Sequence, residues 1–381
     1  MRMRKLGSHD IMVSELGLGC EGLTKGDEEA ERLLKAALEG GINFLDMYSP
    51  EPALRRMVGR VMAEMPQHLV VQAHLCSVWQ DGQYKRTRNL AQVEKSFDEL
   101  LEALGTETVD IGMVHYVDSL KDWQEIENGP LFDYVKGLKE NGTIRLVGLS
   151  SHNPQAAMAA IESGLIDVLM FSVNPCYDLQ PPDEDVEQLW AADKYKDTLI
   201  NMNPEREALY LECQRRGIAI TVMKAFGGGD LLSAEHSPAG VALSEDACLQ
   251  YALTRPAVAS VMAGIRTMDE LHNLLAFEEA DPAQVDYAAE LAAFPKIRWE
   301  GHCMYCGHCA PCPEKIDIAY VEKLYNLADG PDGVPETVRE HYAALDAKAS
   351  DCIECGACET RCPFEVHIRE DMKGASELFG S

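Results

Sequence analysis

Short apolar runs alternate with stretches of helical period from about residue 14 to residue 280. The runs are Leu16–Gly19, Phe44–Asp46, Leu69–Ala73, Ile111–His115, Leu146–Ser150, Val168–Val173, Ile218–Lys224 and Ser260–Gly264. Between them, Glu28–Glu39, Leu90–Leu104, Gln155–Ser163, Glu205–Arg216 and Asp269–Glu279 repeat apolar residues at helical spacing. The runs are continuously apolar rather than alternating, as parallel strands covered on both faces are. Eight such strand–helix units predict an α/β protein built as a (β/α)8 TIM barrel. A doubly wound sheet is the alternative, but no Gly-x-Gly-x-x-Gly joins a strand to a helix. Gly17-Leu18-Gly19 lies within a strand and lacks the third glycine. Residues 1–15 are expected to form a hairpin across the barrel floor. The connection from Pro175 to about Pro204 is long and acidic, and it would lie at the C-terminal rim, where such barrels keep their active sites.

The pattern changes near residue 295, which divides the chain into a barrel of residues 1–295 and a second module of residues 296–381. The second module carries two cysteine ladders, Cys303-x2-Cys306-x2-Cys309-x2-Cys312-Pro313 and Cys352-x2-Cys355-x2-Cys358-x3-Cys362-Pro363. Two such runs, each closed by Cys-Pro, suit a ferredoxin-like domain with a pair of [4Fe–4S] clusters. In two-cluster ferredoxins the fourth Cys of each run ligates the other cluster. That predicts one cluster on Cys303, Cys306, Cys309 and Cys362, and a second on Cys352, Cys355, Cys358 and Cys312. A zinc ribbon shares the spacing but not the paired Cys-Pro closures. Ile318–Asn326 and Glu336–Lys348 read as helices joined by a turn at Asp329–Gly333, and Pro282–Ile297 as a connecting helix broken at Phe294-Pro295. Clusters of this kind imply single-electron transfer and an oxygen-poor setting. Cys20, Cys76, Cys176, Cys213 and Cys248 read as buried small apolar residues.

The formal net charge of −29, from 63 acidic and 34 basic residues, argues against nucleic acid and against an anionic membrane as partner. Its plain meaning is a well-solvated surface, and its sharper one is steering of a basic redox protein. No apolar run is long enough to span a bilayer and the start has no signal-peptide core, so a cytoplasmic protein with reduced thiols is expected.

Several segments then carry a resemblance in order. They are Lys5-Leu-Gly with Val13–Gly19, Gly40–Asp46, Val109–His115, Val147–Asn153, Met223–Asp230 and Val261–Arg266. Together with the cysteine ladders they resemble the aldo/keto reductase family, in its ferredoxin-tailed subfamily. The resemblance implies NAD(P)H-linked reduction of a carbonyl by an Asp–Tyr–Lys–His tetrad, the Tyr protonating the carbonyl oxygen. Asp46 and His115 stand at two of the four positions. Glu51 holds the Tyr position, with a tyrosine instead at Tyr48, and His74 holds the Lys position.

Three readings of that site follow. In one, the catalytic set is rebuilt as Asp46, Tyr48, His74 and His115. Tyr48 or His74 supplies the proton and His115 donates a hydrogen bond to the substrate. A carboxylate beside His74 favours imidazolium, so activity is expected to rise on the acid side. In the second, the pocket persists but electrons arrive singly from the clusters, to a ketone, quinone or activated alkene. In the third, Asp46, His74 and His115 form a facial metal triad. For a nicotinamide cofactor, NADP or NAD, the resemblance points to Lys224, Gly227, Gly228, Gly264 and Arg266 near the phosphates. It points to Asn273 near the adenine and to Ser150, Ser151 and Asn174 near the nicotinamide amide. The expected function is an oxidoreductase coupling the barrel to two clusters and reducing a small organic molecule. The competing class is a non-catalytic electron-transfer subunit on a degenerate barrel.

Overall fold

The eight apolar runs become eight parallel strands closed on themselves in the computed structural model, which describes residues 1–23, 26–195, 199–280, 285–294, 297–328 and 333–380. They are β1 (Leu16–Gly19), β2 (Phe44–Met47), β3 (Val70–Leu75), β4 (Val109–Val114), β5 (Ile144–Ser151), β6 (Val168–Ser172), β7 (Ala219–Met223) and β8 (Val258–Gly264). Each pairs with the next in the chain, and β8 closes on β1 from Val261↔Leu16 to Gly264↔Gly19. Helices cover the outside, so nearly every strand residue is buried and the runs read as continuously apolar.

The hairpin Met3–Lys5 with Met12–Ser14 closes the floor. Leu6, Ile11 and Val13 rise from it into the barrel and pack against Phe44, Val70, Ile111, Met113 and Val168. At its turn, Gly7 has φ +61°, and a Cβ there would stand 2.2 Å from the Gly217 carbonyl oxygen, which accepts the Ser8 N–H at 2.8 Å. Only a glycine permits that approach. With the lower half filled by apolar side chains, the buried polar ones, Asp46, Gln72 and His74 among them, gather toward the opposite end.

A second hairpin, Ser77–Gln80 with Gln83–Arg86, follows β3 directly. Cys76 (φ +71°) turns the chain into it, and Asp81-Gly82 (φ +55° and +75°) closes it. Among the described residues, five α-helices lie beyond those read from the apolar period: Pro52–Glu64, Leu120–Glu127, Pro130–Glu140, Glu245–Thr254 and Ile368–Phe379. Glu51 is the N-cap of the first of these and accepts the Leu54 N–H at 2.6 Å. The residue at the expected Tyr position is thus spent on starting a helix.

The tail docks beside helices Pro204–Arg216 and Glu245–Thr254. Arg255, fully buried, bonds the Met304 carbonyl oxygen inside the first ladder and meets the Tyr287 hydroxyl at 3.2 Å. Its guanidinium lies 4.5 Å from the Tyr251 ring centroid and 5.6 Å from that of Tyr305. Leu199–Ile200 pairs in parallel with Ile297–Arg298 nearby. The tail helix Ile318–Ala328 fits expectation. Glu336–Lys348 instead ends at Ala343, because the Tyr342 hydroxyl takes the Ala349 N–H at 3.0 Å and the chain folds back. In place of a helix over Pro282–Ile297, Tyr287–Ala292 is the helical part among the described residues, and Ile297 is in a strand. The 295/296 boundary lies outside the described residues, as does the Asp329–Gly333 turn except Gly333. Among the described residues no helix is long and apolar enough to cross a membrane.

In the β6–β7 connection, Asp178 is fully buried, accepting from Tyr210 Oη at 2.5 Å, Tyr251 Oη at 2.6 Å and Arg206 at 3.4 Å. Burial pushes its carboxyl up, against the pull of these donors. Removing it strands a buried guanidinium and two phenols. Asp178→Ala is therefore expected to lower unfolding free energy by about 3–5 kcal/mol, read by chemical denaturation of anaerobically purified protein. A loss under about 1 kcal/mol would contradict the role.

Candidate functional site

At the C-terminal ends of β2, β3 and β4 the polar side chains form a line. Asp46, 2% exposed, accepts the Gln72 amide on Oδ1 at 2.7 Å and faces His74 Nε2 at 2.9 Å on the same oxygen. His74 Nδ1 meets His115 Nδ1 at 2.8 Å, and His115 Nε2 meets the Tyr84 hydroxyl at 2.8 Å. Asp46, His74, His115 and Tyr84 thus make one continuous relay from a buried carboxylate to a phenol that is 37% exposed. Burial first, then neighbouring positive charge, holds His115 well below the usual imidazole range, so it stays neutral. Burial pushes the Tyr84 hydroxyl up to about 12.

Tyr84 was not visible in the sequence reading. Its signal is the Asp-Gly dipeptide between two β-forming segments, the mark of a two-residue hairpin. Tyr48 lies alongside the relay, not in it. Its ring stacks on His115 at 5.8 Å between centroids, and its hydroxyl is pushed up by burial and then by Glu21, to which it bonds. His115 does not stand free to contact a substrate, since both its ring nitrogens are taken. The metal triad is corrected on the same ground. Both nitrogens of His74 are engaged, the three residues lie in a line, and among the described residues no three His, Cys, Asp or Glu side chains converge as a single ion requires.

The backbone beneath this line is clamped. Tyr116, with φ +59°, follows His115. Arg88, paired with Asp122 at 2.6 Å, donates to the carbonyl oxygens of His115 at 2.8 Å and Tyr116 at 2.7 Å. Beside it Asp118 holds His152, with Oδ2 2.9 Å from Nδ1, and the Tyr116 ring lies 5.2 Å from that imidazole.

Of the residues assigned to a nicotinamide, several have internal partners. Ser150 Oγ accepts the Tyr116 N–H at 2.8 Å, and Ser151 Oγ donates to Asp118 at 3.2 Å. Asn174 accepts from Cys176 and Tyr177 and donates to the Lys224 carbonyl oxygen at 2.9 Å. The N–H groups of Gly227 and Gly229 are used on Lys224 and Phe226. Gly228 and Gly229, with φ +76° and +106°, have no atom within 4 Å of a Cβ position, so their backbone is open to a ligand. Gly264 ends β8 facing Glu21. Arg266 follows, exposed, its N–H on Glu270 at 2.6 Å, and Asn273 is exposed beside Glu245. The open glycine backbone and the exposed Arg266 fit a dinucleotide.

The cysteine ladders form two cavities. One is lined by Cys303, Cys306, Cys309 and Cys362. The other is lined by Cys312, Cys352, Cys355 and Cys358. Cys362 thus lines the cavity of the first ladder and Cys312 that of the second. The cysteines surround a space instead of a point, which suits a cluster and not one zinc ion. The five barrel cysteines are all buried, and burial pushes each thiol up, so they remain neutral and inert.

The profile of the aldo/keto reductase family matches residues 15–293, and that of a 4Fe-4S dicluster domain matches residues 302–367. The uncharacterized oxidoreductase YqkF of Bacillus subtilis (strain 168) is 27% identical over 288 residues, covering 71% of this chain and 89% of its own. Pyridoxal 4-dehydrogenase of Microbacterium luteolum is 22% identical over 344 residues, covering 73% and 94%. Among solved structures, the holo form of aldo-keto reductase AKR11C1 from Bacillus halodurans superposes with a TM-score of 0.57 at 22% identity, covering 75% of this chain and 94% of that one. That match shows a common fold.

The depressed His115 has a thermodynamic sign. Below about pH 6.5 the unfolded chain binds a proton that folded His115 does not, so this residue's contribution to stability falls as pH drops. In urea titrations from about pH 7 to about pH 5, His115→Gln is expected to show a shallower decline than the wild type. Identical slopes would remove the assignment.

Proposed function

The chain belongs to the aldo/keto reductase family and carries a C-terminal 4Fe-4S domain, and from that premise we propose that it reduces a small organic substrate at the barrel mouth. The substrate class is a carbonyl, quinone or activated alkene, and Asp46, His74, His115 and Tyr84 supply the proton. The observation that carries the reading is the unbroken relay ending on a hydroxyl at the mouth.

Hydrogen-bond directions fix how the relay works. Asp46 as carboxylate can only accept, so His74 Nε2 bears a hydrogen. With His74 neutral, its Nδ1 accepts from His115 Nδ1–H, and His115 Nε2 then accepts from Tyr84. All protons point inward and none is offered to a substrate. With one proton more, on His74 as imidazolium, the Nε2–H bond to Asp46 is kept and the two outer bonds reverse. His74 Nδ1–H donates to His115, His115 Nε2–H donates to the phenol oxygen, and the Tyr84 O–H is free for a substrate oxygen or carbon. After Tyr84 gives up its proton, one hydrogen shifts along each link and the inward state returns. No phenolate and no charged His115 remains at either end, which agrees with the neutral His115 and the raised Tyr84 hydroxyl. Tyr84 alone would be a poor acid at neutral pH, and the relay removes that handicap.

Two [4Fe–4S] clusters, held by the cysteine sets of the two cavities, would supply single-electron exchange. A dinucleotide, NADP or NAD, held by Lys224, Gly228, Gly229 and Arg266, would supply hydride. The acidic surface suits a basic redox protein as partner. A non-catalytic electron-transfer subunit would need no relay ending at the mouth, and the relay's completeness favours the enzyme.

With dithionite or NAD(P)H as reductant under argon, Tyr84→Phe and His74→Ala are each expected to lower substrate reduction by about 10²-fold or more. The visible cluster band should survive, and Tyr48→Phe should stay within a few-fold. Unchanged turnover in Tyr84→Phe would refute the relay. Separately, purified wild type should hold about eight iron and eight sulfide, and Cys312→Ser should keep about four of each. A single cluster in the wild type would overturn the two-cavity assignment.

A further inference from the structure

The hairpin beside Tyr84 carries a cation without an acid. Around Arg86, Lys85 pairs with Asp81 at 2.7 Å and Arg88 with Asp122 at 2.6 Å. Among the described residues Arg86 forms no ion pair, although the chain has 63 acidic residues to 34 basic. Its guanidinium carbon lies 3.7 Å over the centroid of the Tyr116 ring.

That ring is fixed from below. A left-handed φ at a residue with a bulky side chain is strained and persists only where the surroundings impose it. Here Arg88 takes the carbonyl oxygens on both sides of the Tyr116 nitrogen, and Ser150 Oγ takes its N–H. Arg86 rests on the ring so held. It is also in register with the relay. Tyr84 and Arg86 are alternate residues of one strand, so both face the mouth while Lys85 faces away. Their Cα atoms are about 7 Å apart, roughly the span of a benzene ring with its substituents.

We infer that Arg86 is an anchoring site for a substrate carboxylate, so that the molecule reduced beside Tyr84 is a carbonyl compound or activated alkene bearing a carboxylate across a short spacer. This rests on the reading of the mouth as a reducing site. A guanidinium held over an aromatic ring keeps N–H donors for other partners, and two of them match the coplanar oxygens of a carboxylate. One unpaired cation suits one negative charge. On the Tyr48 and Tyr116 side of the mouth the nearby acids, Glu21 at Tyr48 and Asp185 near Tyr116, disfavour anions. Without Arg86 the same mouth should therefore prefer the neutral analogue.

The test uses anaerobic holoprotein and two probes, 4-carboxybenzaldehyde and benzaldehyde, with binding measured by calorimetry. Wild type is expected to bind the carboxylated aldehyde at least about tenfold more tightly. Arg86→Gln should abolish or reverse that preference, Arg86→Lys should keep part of it, and Lys85→Gln should keep it all. The cluster band and circular dichroism report whether each variant is folded. Equal affinity in the wild type, binding of neither aldehyde, or a preference that survives in Arg86→Gln would overturn the inference. Tyr84→Phe separates this site from the proton relay. It should lose turnover and keep the carboxylate preference. Turnover retained there would remove the relay and leave the anchoring site supported by the binding data.

Discussion

A carboxylate buried in a barrel must be given donors, and the upper half of this molecule is arranged around that need. Asp46 is 2% exposed, and one of its oxygens takes both the Gln72 amide and His74. Gln72 is held in turn by the Thr221 hydroxyl from across the barrel, at 3.1 Å. Leaving such a group unpaired would cost several kcal/mol, so His74 is pinned, and His115 is pinned through it. The apolar plug on the floor makes this possible, because it drives the polar residues to one end.

Much of this was legible in the sequence. The barrel strands were readable because burial on both faces leaves a continuous apolar run. The cysteine crossing was readable because spacing and Cys-Pro closure constrain ligand choice. Asp46, His74 and His115 were readable because each ends a strand, and strand ends meet at one rim. Tyr84 was hidden because it reaches the rim from an inserted hairpin, and no strand periodicity predicts where such a hairpin folds. The assigned nicotinamide contacts were obscured for another reason. Serine and asparagine at strand ends serve equally as turn partners, and here Ser150, Ser151 and Asn174 hold Tyr116, Asp118 and Lys224.

The joint between the two modules is chemically distinct from either. Arg255 is a fully buried guanidinium whose hydrogen bonds go to Tyr251, Thr254, Tyr287 and Met304, none of them a carboxylate. Its positive charge is carried between the barrel wall and the first cysteine ladder. Charge and hydrogen bonding around a cluster are among the terms that set its potential. The contact that docks the tail therefore also shapes the electrical surroundings of the nearer cavity.

The crossed cysteines have a consequence for how such a tail can change over time. Cys312 lines the cavity of the second ladder, and Cys362 lines that of the first. On the ligation proposed above, each half of the tail is therefore incomplete by one ligand. Neither half can be duplicated, lost or exchanged with another protein while leaving a whole site behind. The two ladders form a single heritable unit, and the helices between them are free to vary only as far as they still bring each borrowed sulfur home.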